Sequence, residues 1–190
     1  MLEKWRRSLL GYLVLILYYS IPFLPVKKQK MPTLNHPYFG ELDTDAPEEE
    51  VDVLWENETD LNGQAVNTQL WAAAQAEPDA AELDQFAERL QNLAELDSRA
   101  RAALQAYLEK DNIYITCHRE EMEGGDALPD TPAAFVAAMT LHSIALWHQD
   151  PYEEGSPLVP DYMIDPDNSD EILAVSVAAD GEIQEISWES

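Results

Sequence analysis

Cysteine is nearly missing from this 190-residue chain. Cys117 is the only one, which rules out a disulfide within one chain and a thiolate metal cluster. A half-buried free thiol in a cytoplasmic protein is the expectation it leaves. Cations are scarce too, but only after Met31. Residues 31–190 hold five Lys and Arg against 36 Asp and Glu, whereas residues 1–30 hold six against Glu3 alone, so the segments carry −31 and +5 within a total of −26. A surface so negative repels nucleic acid and anionic membranes and attracts basic partners. Known chemical signatures are absent as well: there is no G-x-S-x-G, P-loop, dinucleotide fingerprint or H-E-x-x-H.

A long clean apolar run is the last absence. Ser8 to Val26 is nineteen residues without charge, about 28 Å as a helix and just enough for a bilayer core of about 30 Å. Pro22 and Pro25 interrupt it, leaving Ser8 to Ile21 as continuous helical sequence. No small-residue cleavage site follows, and Lys4, Arg6 and Arg7 balance Lys27, Lys28 and Lys30, so no orientation is set. Two readings stay open: a membrane anchor over residues 8–26, tethering the chain to the inner membrane, or an over-extended gene model whose true start is Met31. The organisation is therefore an apolar extension, residues 1–30, and an acidic domain, residues 31–190, large enough to bury a core.

What is present in the acidic domain is a pattern of strands, then helices, then strands. Tyr38 to Leu42 forms a short strand. Val51, Val53 and Trp55 alternate with polar partners, Asn62-Gly63 supplies a hairpin turn, and Val66, Thr68 and Leu70 alternate on the return. Asp79 with Glu82 marks a capping-box-like helix start, followed by Leu83, Phe86, Leu90 and Leu93 at helical spacing and a break near Asp97 before Leu104 and Leu108. Ile113 to Met122 divides between strand and helix, and Gly124-Gly125 ends it. Thr131-Pro132 starts a helix, with the hydroxyl as N-cap, that continues uncharged to about His148 and packs on the sheet. Pro151 to Pro160 reads as a loop. Leu173, Val175 and Val177, the turn Asp180-Gly181, then Ile186 and Trp188 make a second hairpin. The fold class is α+β: an antiparallel sheet built from N-terminal and C-terminal hairpins, with three or four helices packed on it.

Histidines are the natural candidates for chemistry, and their spacing nominates none. Cys117 and His118 are adjacent, so their side chains diverge and a thiolate–imidazole pair is not expected. His142 and His148 are six apart, on different faces of a helix, and His142 reads as a hydrogen-bonded core residue; His36 docks the first strand. Asp165 to Glu171, "DPDNSDE", resembles a calcium loop but has Asp170 where glycine is needed and Ser176 at the twelfth position, so it reads as a solvated turn. No catalytic, cofactor-binding or metal-binding residue is assigned. The functional expectation is a non-enzymatic, cytoplasmic interaction or immunity-like module with a basic protein partner and no nucleic acid. The alternatives are a divergent carboxylate- and histidine-dependent hydrolase or metal-binding enzyme, using His118 or His142, and a membrane-tethered acidic domain.

"HPYFGELD" (His36 to Asp43), the Trp55 strand with its Asn62-Gly63 turn, "IYITCHREEM", and the closing "DEILAVSVAADGEIQEISWES" (Asp170 to Ser190) carry one resemblance. Together they resemble a bacterial family known as domain of unknown function two thousand and four, over residues 34–190. The resemblance implies a helix over Ile113 to Met122. It implies no activity and no catalytic residues.

Overall fold

The computed structural model describes residues 33–44, 49–152, 155 and 157–190. The anchor-or-start question falls on residues 1–32, outside the described residues. Chain order is β1 (Leu34–His36), β2 (Gly40–Leu42), β3 (Val51–Leu61), β4 (Gln64–Ala73), α1 (Ala80–Gln91), α2 (Leu93–Lys110), α3 (Ile113–Glu121) and a 3₁₀ turn, Gly125–Ala127. Then come α4 (Pro132–Ala138), β5 (Thr140–His148), β6 (Leu158–Met163), β7 (Ile172–Val177) and β8 (Ile183–Glu189). Strands β1 and β2 pair with each other, and β3 to β8 form a six-stranded sheet in sequence order. This is the α+β fold that the sequence predicts, with one refinement. Four neighbouring pairs are antiparallel, but β4 and β5 run parallel because the whole helical layer crosses over between them.

Both predicted hairpins form. Asn62 and Gly63 take φ of 55° and 89°, the paired positive values that a two-residue turn needs to follow the strand twist. The simple alternation of Val51, Val53 and Trp55 does not survive, because a bulge between Val53 and Trp55 inserts Leu54. Val53 then pairs with Trp71 and Trp55 with Leu70, so the two lie on opposite faces. Trp55 meets Phe39 edge-on at 4.9 Å, which seats the β1–β2 pair on the core.

Asp79 caps α1, accepting from the N–H groups of Ala81 at 2.9 Å and Glu82 at 3.3 Å. The helix break comes at Asn92, whose side chain donates to Glu88 O, and not near Asp97. Asp97 stays in α2 because it has inward partners: Arg101 Nε at 2.9 and 3.0 Å and the Tyr162 hydroxyl at 3.0 Å. Burial, and then the Asp97 carboxylate, raise the Tyr162 pKa, so its hydroxyl stays protonated and donating. Thr131 stands at the N-cap of α4 with Pro132 first in the helix, but the Thr131 hydroxyl makes no capping bond.

The expected helix to His148 is corrected. After Ala138 the chain becomes β5, the strand between β4 and β6. Ile144, Leu146 and His148 are buried at strand spacing, with Leu141 three residues earlier across a bulge, and these positions face the helices while Ala145 and Trp147 leave the other face uncharged too. Composition does not distinguish such a strand from a buried helix. The loop expected over Pro151 to Pro160 likewise ends in β6, where Leu158, Pro160 and Tyr162 face inward. Pro160 has no N–H to give, and the β6–β7 partners skip Val159 and Pro160.

Helices α1 to α4 pack on one face of the sheet, over Leu70, Ile144, Leu146, Tyr162, Leu173 and Val175. All five cations of residues 31–190, Arg89, Arg99, Arg101, Lys110 and Arg119, lie on this helical layer. Four of them donate to backbone carbonyls: Arg89 to Asp180, Arg99 to Gly181, Arg101 to Val136 and Met139, Arg119 to Leu128. Among the described residues no helix is long and apolar enough to cross a membrane.

Candidate functional site

Helix α3 brings His118 to the edge of the sheet. The helical reading of Ile113 to Met122 holds, and the chain leaves it through Gly124 at φ 77°. Gly125 follows because a Cβ there would lie 2.5 Å from the His118 carbonyl oxygen. A cleft of about 300 Å³ opens between the end of α3, the Asn168–Glu171 loop and Trp188. Its walls hold Glu121, Glu123, Asp170 and Glu171 and no Lys or Arg among the described residues.

His118 is buried, and its ring nitrogens are both occupied. Nδ1 lies 2.8 Å from the Tyr114 carbonyl, which only accepts, so Nδ1 carries the proton. Nε2 therefore presents its lone pair to Ser169 Oγ at 3.3 Å. Ser169 Oγ accepts from Glu171 N–H, Tyr114 OH donates to Glu171 O at 2.9 Å, and Trp188 Nε1 donates to the Glu171 carboxylate. Burial, and then Glu171, push the Tyr114 pKa up, which keeps that donor protonated. The result is a closed ring of bonds that ties α3 to the β6–β7 loop and β8. A serine hydroxyl facing an imidazole lone pair has the first half of a nucleophile–base arrangement. The second half is missing: a carbonyl orients Nδ1 where a carboxylate would stabilise an imidazolium.

The expected positions resolve as follows. Cys117 is half-buried on the cleft wall, as read from the sequence, and His118 beside it turns to Tyr114 and Ser169. His142 is not a core residue. A bulge between Leu141 and Ser143 turns it outward, and it is exposed beside a second cleft of about 540 Å³ on the other side of the Asn168–Asp170 ridge. His148 is the buried one. Its Nδ1 lies 2.6 Å from Glu82 Oε2, off the line of a ring hydrogen bond, and its Nε2 lies 3.3 Å from Asp79 N. Glu82 also accepts from Gln149 N–H, so it clamps the end of β5 and does not close a capping box. His36 docks its strand as expected: Nδ1 accepts from Tyr38 N–H and Nε2 reaches Asp84 at 3.2 Å. Asp165 to Glu171 is a turn before β7. Among the described residues no group of three or more His, Cys, Asp or Glu is placed to hold a metal ion.

The Ser169–His118 contact escapes sequence reasoning because the partners are 51 residues apart. Compared with family models, curated proteins and solved structures, the chain matches none.

Proposed function

We propose that this protein is a cytoplasmic, acidic interaction module whose partner is a basic protein. In its sharpest form it is immunity-like, masking a basic nuclease or toxin. One observation carries the reading: strands β3 to β8 contain no Lys or Arg, while the helical layer holds all five cations of residues 31–190, four of which donate to backbone carbonyls, two on the β7–β8 turn and two within the helical layer. The negative field is thus left for an outside cation, which accelerates encounter and rejects acidic competitors. Membership in the unknown-function family would add no activity to this reading.

The test is capture by the full chain, immobilised at low ionic strength and challenged with its host's lysate. A basic protein retained at low salt and released as salt rises is expected, since exposed charge attraction weakens once the Debye length falls to about 10 Å or less. Retention of nothing, or retention that salt does not alter, overturns the reading.

A further inference from the structure

The face of the sheet turned away from the helices has its own chemistry. Trp71 of β4 and Trp147 of β5 stack there at 5.4 Å and 29°, and Tyr152, 57% exposed, meets Trp147 edge-on at 5.5 Å. By register the same face carries Glu56 and Glu58 of β3, Asp161 of β6, and Glu185 and Glu189 of β8. Asp161 differs from the others. It lies half-buried near the middle of the sheet, and among the described residues its carboxylate accepts one hydrogen bond, from the Ser143 hydroxyl at 2.7 Å. Burial pushes its pKa up to about 6; the Ser143 bond opposes this, Glu189 adds to it and exposed His142 opposes it weakly. A carboxylate partly stripped of water, with no guanidinium or ammonium beside it among the described residues, resembles one half of an ion pair.

We propose that this face, free of helices among the described residues, is where the basic partner docks, with an arginine or lysine of that partner seated on Asp161 and a second cationic or apolar side chain against Trp71 and Trp147. The inference rests on the interaction reading above and gives it an address. Charge complementarity selects the occupant, because among the described residues the face offers carboxylates and aromatic rings and no Lys or Arg. Ser143, the neighbour of Asp161, precedes Trp147 by four residues on β5, roughly 13 Å along a strand. An extended basic segment presents its side chains i and i+4 on one face at that spacing. A second copy is disfavoured by the −26 charge each would bring.

An oligo-arginine peptide titrated into the full chain tests this, read from the indole N–H signals of the five tryptophans. Trp71 and Trp147 are expected to shift while Trp55 and Trp188 hold still. Asp161→Asn weakens binding about tenfold, whereas Glu109→Gln, an equal charge loss on the exposed side of α2, weakens it less than about twofold. Equal weakening by both variants, or shifts centred on Trp188, overturns the docking address and leaves the interaction reading standing. No binding at all overturns both. Shifts at Trp71 and Trp147 that follow protein concentration without peptide overturn it in favour of a second copy.

Discussion

Among the described residues one face of the sheet is covered and the other is open, and the two treat charge in opposite ways. On the covered face every arginine is placed where a backbone carbonyl needs a donor. Arg89 and Arg99 hold the Asp180-Gly181 turn, and Arg101 gathers Asp97 and the last carbonyls of α4. On the open face, carboxylates stand beside tryptophan rings with no Lys or Arg among the described residues. Among the described residues of so acidic a chain, the few cations secure the architecture, and the negative field belongs to the surface they leave free.

Truncation on the two faces of one strand breaks the comparison most strongly. Leu146→Ala, under the helices, is expected to cost about 2–5 kcal/mol in urea unfolding, because the surrounding core closes only partly over the cavity. Trp147→Ala, one residue on and half in water, costs about 1 kcal/mol by the same measurement. Arg101→Ala falls between these two: it strands Asp97 and two carbonyls and lowers stability by about 2 kcal/mol.

Asp161→Asn sharpens the contrast because it should stabilise. The folded protein keeps this proton up to about pH 6, whereas the unfolded chain releases it near 3.8. Stability therefore falls as pH rises through that window. Asparagine has no proton to lose, so the variant gains of order 1 kcal/mol at pH 8 and loses that advantage below about pH 4. Urea midpoints of both proteins at the two pH values check it, and an advantage that persists in acid removes the assignment.

Local chemistry explains which parts of this picture were legible in the sequence. Asn62-Gly63 and Asp180-Gly181 announce their hairpins because few other residues accept those turns. Asp79 announces α1 because a carboxylate caps the first turn. The stretch from Met139 to His148 misleads because an uncharged run has no polar face to display its period, although Ile144, Leu146 and His148 do alternate. Asp97 reads as a breaker only until Arg101 and Tyr162 are brought to it. Of the candidate site, Cys117 and His118 were visible as residue types, but the Ser169 partner and the outward turn of His142 depend on long-range contact and a bulge, which no local pattern encodes.

The parallel seam has a consequence for how the chain reaches this state. Every other neighbouring pair in the six-stranded sheet is consecutive in sequence without an intervening helix; β4 and β5 are separated by the whole helical layer. Two sequence-local halves, a hairpin and a four-strand meander, can assemble early, and their union closes the longest loop. Trp71 and Trp147 face each other across that union. The coupling of their indole transitions is therefore a built-in clock for the slowest event in folding.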